Sequence, residues 1–408
     1  MHLTFVFPRL KTFSGAENLL LQLSRYAVEQ GHEVVVVTRG VDSACVGLFH
    51  PRVQVRVPSR PFRWLTGVHL IDSFFDTAFA PALTSRLPRQ TDVLCFFCPP
   101  VLPAMAFAYR RAHAPVAYYC LQPPRFAYDL QEETIEAHGL LGRLVPILAP
   151  LYRHMDRRLA PRCDRLFAIS KDYAKWCKEL YGLADVALVP PGVDEYDASQ
   201  CDPRALRKEL GIGESTPLVT TINKLIPRKN VDVFLHAMVH VIDRVPDAHG
   251  VVVGDGPSRP SLLRLRDSLG LADRVHFTGF LPNYSAVMSF YAASDVHVFL
   301  EKNVPFGLTV LEAGWCSCPV VAVRGGGTGD TVVEGQTGLL VDADPLDSRK
   351  VAEQIESLLL DRGLRNRMGQ LGRQNATRFS HERASERFLR ALASTAEDRR
   401  RVDSERKA

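Results

Sequence analysis

Short apolar runs alternate with helix-like segments along both halves of the chain. In the first half these runs are Leu3–Phe7, Glu33–Thr38, Val53–Val57, Val93–Phe97, Val116–Tyr119, Arg165–Ile169 and Val186–Val189. In the second half they are Leu218–Ile222, Gly250–Gly254, Val275–Phe277, Val296–Leu300, Val320–Val323 and Gly338–Val341. Buried strands that alternate with helices predict a parallel α/β architecture in each half.

The segment between the first two runs predicts an amphipathic helix. Ser14 and Glu17 form a capping box, and Gly31 ends the helix. Between these signals the apolar positions recur with helical spacing. This buried stripe consists of Ala16, Leu19, Leu20, Leu23 and Ala27.

The strand–helix pattern is interrupted near the middle of the chain. The tract VPPGVD at Val189–Asp194 begins a polar stretch that continues to about Pro217. We therefore predict two doubly wound α/β domains that face a central cleft. The predicted segments are an N-terminal domain at 1–190, a linker at 191–216, a second domain at 217–378, a helix at 379–397 that crosses back toward the first domain, and a disordered tail at 398–408.

Composition is typical of a soluble globular protein. The 408 residues can bury two cores, and the hydrophobic and charged fractions are 46% and 23%. The net charge of +5 fits an anionic substrate or a membrane surface and does not suggest a nucleic-acid partner. No apolar run reaches the length of about 18 residues that a spanning helix needs, and the N-terminal run is too short for a signal peptide. With nine cysteines, an odd number, we expect a reducing cytoplasmic location.

Loops that follow strands are the places to search for ligand-binding side chains, because open parallel sheets bind ligands beyond the carboxyl ends of their strands. The glycine turn at Phe13–Ala16 could present N–H groups to an anion or an acceptor, although an ordinary capped helix has the same pattern. In the tract NKLIPRK, Lys224 and Lys229 flank a proline turn and could converge on a diphosphate. Each charge-assisted bond would contribute about 1.5–3 kcal/mol, whereas for one lysine alone an ordinary loop residue is the simpler interpretation.

The tract PFGLTVLEAG opens an apolar helix at Gly307. Free N–H groups and the helix dipole at such a start favour a phosphate. Glu312 could accept hydrogen bonds from the 2′ and 3′ hydroxyls of a ribose, and its apolar neighbours make a merely solvated glutamate the weaker interpretation. The glycine-rich loop Arg324–Asp330 can fold over a sugar or serve only as a connection.

Taken together, these tracts resemble the family-4 retaining glycosyltransferases (group 1), which have two Rossmann-like domains in the GT-B fold. The resemblance covers about residues 2 to 395 and depends on the order and spacing of several tracts. The tracts are SGAENLLLQLSRYAVEQGHEVVVVT, LFAISKDYAKWCKELYG, VPPGVD, INKLIPRKNVD, VVGDGP, VHFTGFLP, PFGLTVLEAGWCSCPVV and GGGTGDTVVEGQTGLLV. It implies retaining transfer of a hexose-type sugar from a nucleoside-diphosphate sugar, bound mainly by the second domain, to a glycan, glycolipid or secondary-metabolite hydroxyl. It also implies no metal and no cofactor apart from the donor substrate.

The resemblance also assigns roles to individual residues. Lys224 and Lys229 match the cationic pair that contacts the diphosphate, and Glu312 matches the ribose ligand, the second acid of a pair eight positions apart. These three are the expected catalytic residues. The expected donor-binding residues are Gly15, Gly254, Gly279, Phe280, Leu281, Phe306, Gly307, Leu308, Thr309 and Glu312.

Two departures from the family pattern affect positions that normally touch the sugar. The first acid of the pair is replaced by Val304, and Glu301 lies three residues too early to substitute for it. In AYYCLQPPR, which resembles a Y-C-H-E-P-P-R tract, Leu121 and Gln122 replace the histidine and the glutamate. We therefore expect an ordinary nucleotide end and an altered sugar end, suited to a deoxy or less hydroxylated sugar. Alternatives are a catalytically silent nucleotide-sugar-binding partner subunit and a two-domain epimerase or phosphorylase.

Two stretches mix apolar and basic residues in a way that fits a membrane surface, Pro61–Leu65 and Gly139–Arg158. Pro146 and Pro150 are expected to break an amphipathic helix in the second stretch. Two interpretations therefore stay open, burial against the first domain and peripheral contact with a lipid-linked acceptor at the inner face of the membrane. The C-x-x-C spacing of Cys95 and its neighbour Cys98 indicates buried thiols, since strand residues three apart point to opposite faces.

Overall fold

The structure is a computed structural model that describes residues 1–10, 15–42, 45, 47–58, 69–110, 114–139, 141–195, 201–281 and 283–405. The chain divides into two compact units. The first comprises Met1–Pro191 and Glu382–Ala408, and the second comprises Gly192–His381.

The first unit is built on a seven-stranded parallel sheet with the order β3-β2-β1-β4-β5-β6-β7. Its strands are β1 (His2–Phe7), β2 (Glu33–Thr38), β3 (Gln54–Arg56), β4 (Val93–Phe97), β5 (Val116–Cys120), β6 (Arg165–Ala168) and β7 (Ala187–Leu188). The helices that precede the second unit are α1 (Gly15–Glu29), α2 (His69–Ala78), α3 (Leu102–Tyr109), α4 (Gln131–His138), α5 (Val145–Leu159) and α6 (Lys171–Tyr181). Every residue of β4 and β5 is buried, as expected for parallel strands covered on both faces.

The second unit is built on a six-stranded parallel sheet with the order β10-β9-β8-β11-β12-β13. Its strands are β8 (Leu218–Ile222), β9 (His249–Val253), β10 (Val275–Gly279), β11 (Val296–Phe299), β12 (Val320–Val323) and β13 (Gly338–Val341). The helices are α7 (Pro203–Glu209), α8 (Val231–Arg244), α9 (Arg259–Ser268), α10 (Tyr284–Ala293), α11 (Leu308–Trp315), α12 (Thr328–Thr331), α13 (Ser348–Leu360) and α14 (Arg362–Thr377). Because the winding direction changes between β8 and β11, ligands are expected above this pair of strands.

The C-terminal helix α15 (His381–Glu405) packs on the first unit. Phe388 is 0% exposed and lies 5.6 Å from the ring of Tyr119 and 5.7 Å from that of Phe5. Farther along, Arg399 donates to Asp164 at 2.7 Å. Helix α15 continues to Glu405, so the disordered tail predicted from residue 398 is wrong up to that residue.

The predicted linker is also wrong in part, because residues 201–216 belong to the second unit. Asp202 caps α7 by accepting from the N–H of Ala205 at 2.9 Å. Arg207 then donates to the carbonyls of Ala293 and Thr216, both at 2.6 Å. A buried guanidinium that satisfies carbonyls from other elements holds this polar segment against the domain.

All of the predicted strands are confirmed, with ends that differ from the prediction by at most two residues. The first helix is confirmed over Gly15–Glu29, while Ser14 of the predicted capping box lies outside the described residues. Helix α5 runs through Pro150, so the predicted break is wrong; Pro146 stands in the first turn, where an N–H is not needed. The stretch Pro61–Leu65 lies outside the described residues. None of the described helices combines the length and apolar character needed to cross a membrane.

Candidate functional site

The loop after β8 brings Lys224 to the carboxyl edge of the second sheet, where its side chain is exposed. Asn223 donates its N–H to the carbonyl of Val253, and Leu225 donates to that of Asp255, both at 2.9 Å. Gly254 has a φ of +124°, and a Cβ there would lie 1.9 Å from the carbonyl oxygen of Asn223. Glycine at this position, predicted as a donor-binding residue, is thus required for the close packing that positions the Lys224 loop.

Lys229 follows in a short turn, and its side chain is only 16% exposed. Its ammonium forms a short ion pair with Oε2 of Glu301, while Arg228 Nε donates to Oε1 at 3.0 Å. Glu301 is 4% exposed and lies just beyond the end of β11. The sequence pattern places Glu301 near the position of a missing sugar contact and gives no sign of these ion pairs.

Helix α11 begins directly after Gly307, whose φ is +88°. Phe306 is buried and anchors the turn against Phe379, with ring centroids 5.6 Å apart. The hydroxyl of Thr309, in the first turn, is shielded from solvent and has no hydrogen-bond partner among the described residues. Leu308 is partly exposed beside it. A helix start with unpaired N–H groups and an unsatisfied hydroxyl is suited to bind an oxyanion.

Val304 has its side chain 7% exposed in the turn that precedes α11. Its carbonyl accepts from the N–H of Gly327 at 2.7 Å. A Cβ at Gly327 would lie 2.1 Å from Cα of Phe306, and one at Gly326 would lie 2.6 Å from the carbonyl oxygen of Val304. The glycine-rich loop is therefore packed against this turn, and an apolar side chain occupies the position of the missing acid.

Glu312 is held by two tyrosine hydroxyls from α10. Tyr291 donates to Oε2 at 3.2 Å, and Tyr284 is also hydrogen-bonded to this carboxylate. Burial raises the pKa of Glu312, while the hydroxyls of Tyr291 and Tyr284 act in the opposite direction. Neither tyrosine was predicted from the sequence. Their spacing of seven residues, two turns on one helix face, is a signal that could have been used.

The end of β10 presents an exposed aromatic ring. Gly279 has a φ of +76° and its carbonyl accepts from the N–H of Gly254 at 3.0 Å. Phe280, the next residue, is 73% exposed, and Leu281 is partly buried. An exposed ring at this edge offers a face on which a planar group can stack.

The remaining predicted positions belong to the first unit. Gly15 is the first residue of α1 and is exposed. Leu121 is buried and Gln122 is exposed just after β5. Cys95 is buried, as predicted, whereas Cys98 is only partly buried, and desolvation raises the pKa of the Cys98 thiol to about 12. In the described parts of the chain, no three His, Cys, Asp or Glu residues are grouped so as to hold a metal ion.

The architecture defines the class of protein. HepE of Anabaena, solved in complex with UDP, superposes with a TM-score of 0.72 at 20% identity, covering 97% of this chain and 100% of that one. WaaG, a glycosyltransferase involved in lipopolysaccharide biosynthesis, gives a TM-score of 0.71 at 17% identity, over 96% and 99% of the two chains. The chain has two Rossmann-like domains, the GT-B fold.

Sequence comparison identifies the family. The model of Glycosyltransferase Family 4 matches residues 13–196, and that of Glycosyl transferases group 1 matches residues 202–375. N-acetyl-α-D-glucosaminyl L-malate synthase of Bacillus anthracis is 33% identical over 361 residues, 87% of each chain. The chain therefore belongs to the group 1, family-4 glycosyltransferases. A GDP-mannose-dependent α-(1-6)-phosphatidylinositol monomannoside mannosyltransferase of Mycolicibacterium smegmatis is 33% identical over 236 residues, which are 55% of this chain but only 61% of that enzyme.

Proposed function

We propose that the protein transfers a hexose-type or deoxyhexose sugar from a nucleoside-diphosphate sugar to a hydroxyl acceptor, with retention at the anomeric carbon and without a metal ion. The observation that carries this proposal is the arrangement of side chains at the carboxyl edge of the second sheet. There two lysines follow β8 and the start of α11 follows β11, so that both flank the point where the winding changes direction.

The diphosphate of the donor would be bound by positive groups of three kinds. Lys224 supplies an exposed ammonium, Lys229 a largely buried one, and α11 its free N–H groups and dipole. The unsatisfied hydroxyl of Thr309 adds a donor at the same helix start. These groups provide the charge that a metal would otherwise supply to the leaving diphosphate, which is why we propose metal-independent transfer.

Glu312 would bind the ribose, since Tyr284 and Tyr291 orient its carboxylate toward one position. Phe280 would stack on or beside the nucleobase from the end of β10. Val304 leaves the sugar end without the carboxylate of the family pattern. An apolar lining is tolerated when the sugar carries no hydroxyl at that point, so we propose a deoxy or otherwise less hydroxylated sugar.

In the proposed step, the acceptor hydroxyl attacks the anomeric carbon from the face that the diphosphate leaves. The bond from that carbon to the diphosphate oxygen breaks, the bond to the acceptor oxygen forms, and the acceptor's proton passes to the departing diphosphate. Lys224, Lys229 and the start of α11 stabilise the charge that develops on the diphosphate. No histidine base is required, so Leu121 is compatible with this route.

The acceptor would be a hydroxyl of a cell-surface glycan, a glycolipid or a secondary metabolite. Helix α5 favours a lipid-linked one. An outward stripe begins with Leu144, just before the helix, and continues along it with Ile147, which is 71% exposed, and Leu151. His154 and Arg158 extend the same exposed side. We propose that this stripe rests on the inner face of a membrane. Cosedimentation with anionic vesicles should fall when Ile147→Asp is introduced, and equal cosedimentation of the variant would remove this part of the proposal.

Donor turnover tests the function as a whole. A panel of UDP and GDP sugars, deoxy sugars included, should contain one donor from which nucleoside diphosphate is released when an acceptor is present. Lys224→Ala should lower release and the thermal shift caused by UDP or GDP, because one phosphate contact is lost. Lys350→Ala, at an exposed lysine on α13, is the charge-matched control. Binding of nucleotide without turnover of any donor would contradict the enzymatic proposal.

A silent nucleotide-sugar-binding subunit is the second candidate, and it rests on Val304 and Leu121. The variant that combines Val304→Glu with Leu121→His restores the family pattern. A gain of turnover would indicate decayed catalysis, while a further loss would indicate a site adapted to its own sugar. Interconversion of a nucleotide sugar without any acceptor would instead indicate an epimerase.

A further inference from the structure

The ion pairs of Glu301 lie at the point of the second sheet where a ligand is expected. Arg228 and Lys229 follow β8, whereas Glu301 follows β11, and these two strands are neighbours in the sheet. Their carboxyl ends flank the position where the winding changes direction. An acidic side chain is therefore placed among the cations that would bind the donor diphosphate.

Both oxygens of the Glu301 carboxylate are engaged. Oε1 accepts from Arg228 Nε at 3.0 Å, and Oε2 accepts from the Lys229 ammonium. The Lys229 ammonium also lies 5.8 Å from the centroid of the Phe299 ring, on the same strand end. This carboxylate is nearly buried, and both of its oxygens are held by cations, which restricts its freedom to turn toward a sugar.

The same contacts change the positive charge that is available to an arriving phosphate. Lys229 already has a counter-charge in direct contact, so its attraction for a second anion is reduced by the repulsion between that anion and Glu301. Lys224, by contrast, forms no ion pair with any described residue. The two lysines, equivalent in the sequence pattern, thus differ in the free charge that they offer.

We propose that Glu301 is an internal counter-anion that competes with the donor diphosphate for Lys229 and so limits how tightly the nucleoside-diphosphate product is held. This inference rests on the proposed function and concerns the regulation of that site. Glu301 acts through Lys229. It keeps the cations paired when the site is empty and, when a diphosphate binds, it shares the ammonium and promotes release of the product after transfer.

Calorimetric titration with UDP and with GDP at low salt tests the proposal. Glu301→Gln keeps the size of the side chain and removes its charge, so the dissociation constant should fall about ten-fold, the ratio expected for loss of one nearby repulsive charge. In steady-state assays, the KM for the donor should fall together with kcat, because product release becomes slower. A merely structural role would not tighten binding.

Two further variants control the result. Asp267→Asn on α9 removes another paired carboxylate, which accepts from Arg266 at 2.7 Å, and should leave the dissociation constant unchanged. Glu301→Asp keeps the charge and should bind nucleotide as the unaltered protein does.

The outcomes are distinct. Weaker or unchanged binding by Glu301→Gln, with the variant folded by circular dichroism, would overturn the counter-anion role. If Glu301→Gln does not fold, tighter binding by Glu301→Asp would overturn it as well, and unchanged binding would support it. Failure of the unaltered protein to bind either nucleotide would instead contradict the proposed function.

Discussion

Phe388 is the side chain on which attachment of the C-terminal helix to the first unit should depend most. It is 0% exposed, and four aromatic rings surround it. Their centroids lie at 5.7 Å (Phe5), 6.0 Å (Phe97), 5.6 Å (Tyr119) and 6.2 Å (Phe167). Phe388→Ala would remove the ring from this cluster and leave a cavity between α15 and the sheet. These neighbours are themselves strand residues that cannot move far to fill it.

The cost follows from the burial. A fully buried phenylalanine replaced by alanine loses about 3–5 kcal/mol, and the tight ring cluster favours the upper part of that range. For a unit of about 200 residues, each kcal/mol of lost stability lowers Tm by about 2–4 °C, so the Tm of the first unit should fall by on the order of 10 °C.

Differential scanning calorimetry combined with hydrogen exchange provides the assay. Exchange should accelerate in β1, β4, β5 and β6, and the strands of the second unit should keep their protection. Val402→Ala is the matched control, because Val402 is 40% exposed on the same helix and should change stability by less than about 0.5 kcal/mol. Equal Tm values for the two variants, or a loss of protection confined to the second unit, would refute the placement of α15.

Three further predictions concern pH and close packing. Burial lowers the pKa of His297 to about 3. A contribution to folding stability on the order of 5 kcal/mol is therefore present above pH 6.5 and is lost as the pH falls toward 3. Urea titrations should show this dependence on pH, and His297→Phe should flatten it. Burial raises the pKa of Asp156 to about 6, so its charge lowers the folding stability by on the order of 3 kcal/mol above that pH and by nothing below about 4. The stability difference between Asp156→Asn and the unaltered protein should therefore grow over that pH interval. A constant difference would contradict the assignment. Gly327→Ala should abolish donor turnover through the clash with Phe306, whereas Gly329→Ala, where no atom lies within 4 Å of the new Cβ, should be tolerated; equal activity of the two variants would show that the turn adapts.

The elements of the fold were predictable because their signals are local. Each strand is a short apolar run, and the first helix has apolar residues with helical spacing and a glycine at its end. The exceptions have equally specific causes. Pro150 is accommodated within α5, where sequence rules expect a break, and residues 201–216 are ordered by Arg207, whose partner Ala293 lies 86 positions away.

The placement of the predicted site residues at one sheet edge was predictable for the same reason. Lys224, Lys229 and the helix start at Gly307 follow predicted strands, and the parallel architecture places them at one edge. Their partners were not predictable. Glu301 lies 72 positions from Lys229, and Tyr291 lies 21 positions from Glu312 on a helix whose facing side the sequence did not indicate.

By itself, the sequence determined which segments are strands and helices, the division into two α/β domains, and the family. Hydrophobic periodicity and turn residues act over a few neighbouring positions, so they can be read directly from the amino-acid sequence. Only the tertiary structure decided which charges meet. Ion pairs and hydrogen bonds form between groups that the folded backbone brings within about 3 Å, whatever their separation along the chain. The pairing of Lys229 with Glu301 is of this kind.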